Sequence, residues 1–145
     1  MKKLSLCSFS IIDTHHRRLV KHVKESINNS AYPQFIQEAT QISDTFTKLL
    51  EAPENIHITD IAGLFNRAQR ALCNLGVSTP QIDSICSSLN SQFPNNLGIK
   101  ITGAGGGGCL LLVHTIEISK EMILEALKAL LSEPITLHYN IGILT

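Results

Sequence analysis

The sequence predicts one α+β domain with helices laid over an antiparallel sheet, and three observations carry that prediction. Apolar residues recur at helical spacing through the middle of the chain. Short apolar runs that read as strands lie on both sides of that block. The resulting order is strand, four helices, strand, loop, strand, helix, strand, which lacks the regular alternation of a parallel βαβ sheet. A length of 145 residues suits a single domain over residues 1–145, without internal repeats or a linker.

Leu4 to Ile12 is apolar and stops at "DT", the pattern of a strand. From about His15 to Ile27, Leu19, Val20, Val23 and Ile27 keep helical spacing opposite a basic face of Arg17, Arg18, Lys21 and Lys24. "NNSAYP" breaks that helix, and Pro33 fits the first turn of a second. There Phe35, Ala39, Ile42, Phe46 and Leu49 form one stripe, with Phe35 and Phe46 as core residues. Thr59 suits the N-cap of a third helix, with Asp60 in its first turn and Gly76 as its C-cap. Its buried face is Ile61, Leu64, Phe65, Ala68, Leu72 and Leu75.

Thr79 and Pro80 open the fourth helix, which buries Ile82, Ile85, Cys86 and Leu89. Leu97 to Thr102 and Cys109 to His114 read as strands around a glycine loop. Ser119 caps a helix with Ile123, Leu127, Leu130 and Leu131 on one face, and Pro134 stops it. Leu137, Tyr139, Ile141 and Ile143 then alternate as a last strand.

Composition removes several function classes. Twelve acidic and twelve basic residues cancel, so no global field steers the chain to nucleic acid or anionic lipid. No apolar run approaches the roughly 20 residues of a membrane span. The opening "MKKLSLCSFSIIDT" is broken by serines and lacks a small-residue cleavage site, so a strand is the better reading than a signal peptide. Cys7, Cys73, Cys86 and Cys109 form no CxxC pair and sit among apolar residues, as reduced thiols of a cytoplasmic protein do.

The richest local signal is "GAGGGG", which holds five of the nine glycines in six residues. Each glycine costs roughly 0.5–1 kcal/mol of chain entropy relative to alanine in a regular element, so a backbone requirement must offset the run. Gly103, Gly105 and Gly108 satisfy G-x-G-x-x-G, but an apolar strand rather than a helix follows, which excludes a dinucleotide fingerprint. No Lys-Ser or Lys-Thr pair follows either, which excludes a P-loop. What remains is a strand–loop–strand nest whose backbone N–H groups converge on a phosphate or substrate. A hairpin tip alone needs only one or two glycines.

"KITGAGGGGC" (Lys100 to Cys109) resembles the third signature motif of the GHMP small-molecule kinases, in the form typical of mevalonate kinases. "FNRAQRALCNLGVSTPQIDSIC" (Phe65 to Cys86) resembles the helix–turn–helix that precedes it, through Asn66, Gln69, Leu72, Leu75, Gly76, Val77, Ser78, Pro80 and Asp83. The resemblance runs from about Ile11 to the C-terminus. It implies a ferredoxin-like C-terminal lobe whose Gly103, Ala104, Gly105, Gly106, Gly107 and Gly108 close on the substrate and phosphate end of the site. Lys100 and Thr102 would hold the entry strand. ATP and Mg²⁺ are implied as cofactors, without dedicated ligands in this chain, and the implied reaction is ATP-dependent phosphorylation of mevalonate to phosphomevalonate.

The family's N-terminal lobe carries a lysine-bearing strand, a "PxxxGLGSSA" motif and a catalytic aspartate, and none is found in this sequence. No catalytic residue is therefore assigned here. Asp13, Asp44, Asp60 and Asp83 read as loop, cap and turn residues. The initial methionine suits a product of a split gene, completed by an N-terminal lobe in trans or by a homodimer. The alternative is a non-catalytic remnant or a phosphate- or protein-binding module. The usual Ser-Thr loop between first strand and first helix is replaced by "IIDTHHRRLV". His15, His16 and His22 lack the i, i+4 spacing of a helical metal pair and read as a solvated helix end. His114 and His138 read as packed polar tips in strands.

Overall fold

A computed structural model describes residues 7–15, 28–102, 108–130 and 134–143. Among these, four strands form one antiparallel sheet in the order β2-β3-β1-β4. The strands are β1 (Cys7–Asp13), β2 (Leu97–Ile101), β3 (Cys109–Thr115) and β4 (Thr136–Ile143). The described helices are α1 (Tyr32–Leu50), α2 (Ile58–Leu75), α3 (Pro80–Gln92) and α4 (Lys120–Leu127), with a 3-10 turn at Pro53–Asn55. The helix expected before α1 falls on residues 16–27, outside the described residues, as do His16, His22 and the four basic residues of its polar face.

Alternation along the strands divides the sheet into two faces. On one, Ile12, Leu97, Ile99, Ile101, Leu110, Leu112 and Leu137 pack with Ile82, Ile85 and Leu89 of α3 and with Ile123 and Leu127 of α4. Leu72 and Leu75, in the last turn of α2, join this main core. On the other face, Cys7 and Val113 pack with Ile56, Ile58 and Ile61, and Phe9, Phe46, Leu49 and Phe65 lie against them. Helix α2 therefore starts on one face of the sheet, crosses the β2 edge and ends on the other. Helical cover reaches both faces, beyond the single face read from the sequence.

The crossing is tight. A Cβ at Gly98 would stand 2.6 Å from the Ala62 Cα and 3.0 Å from the Phe65 Cβ, so only glycine lets helix and strand approach this closely. The helix ends where Gly76 takes a left-handed φ of 85°. At α3 the Thr79 hydroxyl accepts the Ile82 N–H at 3.2 Å, and at α4 Ser119 does the same for Met122 at 3.2 Å.

Several expectations are corrected. The N-cap of α2 is His57, not Thr59, because the Asp60 carboxylate accepts the His57 N–H at 3.1 Å and sets the start two residues earlier. No residue of α1 is fully buried, so Phe35 and Phe46 are half-covered rather than core. Among the described residues α1 packs chiefly against α2, tied in part by Arg67, whose Nε and Nη2 donate to Glu38 Oε1 at 3.1 and 2.8 Å. Asp44 also lies within α1 and not in a loop. Helix α4 stops at Leu127, leaving Leu130 exposed on the following turn. His138 is exposed. All four cysteines are free, but Cys73 is exposed and Cys109 half-buried, so only Cys7 and Cys86 fit the buried reading.

His114 is buried and satisfied. Its Nε2 meets Ser10 Oγ at 2.8 Å, its Nδ1 meets the Thr115 carbonyl at 2.9 Å, and its ring stacks on Tyr139. Burial holds its imidazole below the ordinary histidine range, with the Thr115 contact opposing. The unfolded chain therefore takes up this proton first as pH falls. We predict that His114 stabilises the fold fully above about pH 6.5 and progressively less below it. Urea midpoints measured on both sides of that value should fall on acidification, less steeply in His114→Phe. Gly98→Ala should cost about 1–3 kcal/mol through overpacking, read as a lower urea midpoint with an unchanged slope.

Candidate functional site

The antiparallel order sends the C-terminal ends of β1 and β2 and the N-terminal ends of β3 and β4 to one end of the sheet. Asp13 pairs there with Cys109 on one side and with Thr136 on the other. The glycine loop joins β2 to β3 at this same end. Gly103, Ala104, Gly105, Gly106 and Gly107 lie outside the described residues, and both flanks of the loop are described.

Each flank is held twice. On entry, the Thr102 N–H and hydroxyl both donate to the Cys109 carbonyl, at 2.9 and 3.0 Å. On exit, the Thr14 N–H and hydroxyl both donate to the Gly108 carbonyl, at 3.1 and 2.7 Å. Gly108 has a φ of 91°, a region that side chains rarely adopt. The loop is thus launched and received by fixed peptide groups, which fits a nest whose N–H groups must converge.

Lys100, half-buried on β2, donates from Nζ to the Ile101 carbonyl at 2.7 Å. Burial pushes its ammonium below the usual lysine range. The lysine and Thr102 therefore bracket the last peptide groups of the entry strand. Among the described residues, no three His, Cys, Asp or Glu side chains are grouped to hold a metal ion.

Behind the loop, the outer edge of β2 is closed by carboxamides from α2. Gln69 Oε1 accepts the Ile101 N–H at 2.9 Å, and Asn66 Oδ1 accepts the Ile99 N–H at 3.4 Å. Gln69 is buried, and its Nε2 reaches Ser78 Oγ at 3.4 Å. Ser78 donates in turn to Asp83 Oδ1 at 2.6 Å, linking α2, the following turn and α3. In sequence, Asn66, Gln69 and Ser78 stand out only as parts of a pattern, and Asp83 also as a turn or cap residue. Their shared work is visible once α2 crosses the strand. Thr14 carried no sequence signal at all, because its partner lies 94 residues away.

Comparison with known proteins bears on this arrangement. The family model described as GHMP kinases C terminal matches residues 48–133. A mevalonate kinase from Methanocaldococcus jannaschii is 30% identical over 123 residues, covering 84% of this chain and 37% of that protein. A solved mevalonate kinase structure superposes with a TM-score of 0.68 at 28% identity, over 94% of this chain and 40% of its own. The Methanococcus jannaschii mevalonate kinase structure gives a TM-score of 0.71 at 26% identity, over 94% of this chain and 39% of its own. The chain thus spans about two-fifths of the length of these relatives. A phosphomevalonate kinase from Streptococcus pneumoniae, solved with phosphomevalonate and AMPPNP, shares the fold at 18% identity and a TM-score of 0.69.

Removing the Gln69 carboxamide should leave the Ile101 N–H buried without an acceptor. Gln69→Leu should therefore cost about 1–3 kcal/mol in urea unfolding, more than a substitution at exposed Gln37.

Proposed function

We propose, from the finding that this chain belongs to the GHMP kinases through their C-terminal domain, that it is the C-terminal lobe of a mevalonate kinase-like enzyme. The reaction is ATP-dependent phosphorylation of a small alcohol, with mevalonate as the first candidate and phosphomevalonate as its product. The doubly held flanks of the glycine loop carry the reading. A transferring phosphoryl group needs positioning and charge stabilisation above all, and a fixed nest of N–H groups supplies both.

In this reading Gly103 to Gly108 close on the phosphate and substrate end of the site, with Lys100 and Thr102 setting the entry strand. An N-terminal GHMP lobe, from a longer polypeptide or in trans, contributes the catalytic aspartate, the lysine and the helix that binds ATP·Mg²⁺. The fit of this chain to ATP rests on the loop alone, and the metal's ligands are assigned to the other lobe. Four free cysteines suit a reducing, cytoplasmic setting. No described helix is long and apolar enough to cross a membrane.

The test is ADP release from ATP·Mg²⁺ and mevalonate by this chain, alone and mixed with the N-terminal lobe of a mevalonate kinase. Turnover only in the mixture is the expected result. Turnover by the chain alone would overturn the division of labour between lobes. Silence in both would overturn the catalytic reading and leave a phosphate- or protein-binding module.

A further inference from the structure

At the loop end of the sheet, three side chains from two strands and the residue beyond them meet in a way the kinase reading does not use. His15 Nε2 lies 2.7 Å from the Thr136 hydroxyl, and its Nδ1 lies 3.7 Å from Asp13 Oδ2. The His15 N–H donates to the other carboxylate oxygen, Asp13 Oδ1, at 2.8 Å. Asp13 and Thr136 are direct partners across β1 and β4. We propose that Thr136 is a phosphoryl-acceptor site, its hydroxyl activated by His15 and Asp13 towards a phosphoanhydride.

The order of groups is hydroxyl, imidazole, carboxylate, the arrangement that turns a weak alcohol into a nucleophile. Nδ1 stands at ion-pair rather than hydrogen-bond distance from Asp13, and in the proposed step the tautomer with its proton on Nδ1 leaves Nε2 to take the Thr136 hydroxyl proton. The carboxylate then stabilises the imidazolium that forms. His15 holds this position with a left-handed φ of 61°, a region that side-chain-bearing residues rarely adopt. Such a conformation persists where the surroundings hold it, and such residues cluster at functional sites. His15 and Asp13 are both partly open to solvent, so a small phosphoryl donor can reach them.

Among the described residues, the other titratable groups around the cluster do not compete. Cys109, the β3 partner of Asp13, has its thiol pushed up by burial and then by the Asp13 charge, which keeps it protonated. His138 lies two residues along β4 and is exposed. Lys100 is occupied by the Ile101 carbonyl.

The step balances without an oxidant or a metal-bound intermediate. The Thr136 hydroxyl proton passes to His15 Nε2 as its oxygen forms a bond to phosphorus. The bond from phosphorus to the leaving oxygen breaks, and acetate or ADP departs with that electron pair. The product is phosphothreonine beside a protonated His15.

The experiment is intact-mass and peptide analysis of this chain after incubation with acetyl phosphate, and separately with ATP·Mg²⁺. Gain of one phosphoryl group on Thr136 from either donor is expected. Thr136→Val should abolish it and Thr136→Ser should retain it. His15→Gln should slow it about a hundredfold, the usual weight of a general base, and Asp13→Asn should also slow it. Label absent from Thr136 with both donors, or formed as fast in His15→Gln, would overturn the proposal. Either result is independent of mevalonate turnover, so it separates this site from the kinase reading.

Discussion

The passage of α2 across the edge of β2 is the constraint on which the rest of the structure depends. An edge strand offers a row of N–H and C=O groups that must be covered or paired. Here a helix lies against that edge closely enough for Asn66 and Gln69 to accept the outward N–H groups of Ile99 and Ile101. The approach is possible because Gly98 presents no side chain to Ala62. One glycine and two carboxamides therefore let a single helix seal the sheet edge and contribute to the hydrophobic clusters on both faces.

That seal matters for function because β2 is the strand that feeds the glycine loop. A loop of small residues has little intrinsic preference for one shape, so its geometry must be imposed at its ends. Thr102 and Thr14 fix those ends through paired donors on Cys109 and Gly108. Gln69 fixes the backbone one residue upstream. A relay from Asp83 through Ser78 and Gln69 to Ile101 thus connects the α2–α3 turn to the loop entrance. In the proposed reaction the chain's part would be positional, as suits a transfer in which positioning and charge do most of the work.

The sequence made the described elements and their order legible because helical stripes and alternating strands are local patterns. The caps at Thr79 and Ser119 and the end at Gly76 were readable for the same reason. The start of α2 was misplaced because Thr59 and His57 both precede an apolar run, and only the Asp60–His57 contact decides between them. Phe35 and Phe46 were over-buried because a stripe shows which face packs, but not how completely its neighbour covers it. At the site, the glycine run announced itself through composition. Thr14, His15 and Thr136 did not, since strand pairing brings together residues more than ninety positions apart.

The most direct test of this account is native-state hydrogen exchange at the Ile99 and Ile101 amides of the full chain. Both point away from β3, where an uncovered edge strand would exchange freely. Held by Asn66 and Gln69, the Ile101 amide should be protected to nearly the level of amides in the central strand β1, with Ile99 somewhat less so. Exchange of Ile101 at the rate of an exposed edge would contradict the claim that α2 closes the sheet and sets the strand that enters the loop.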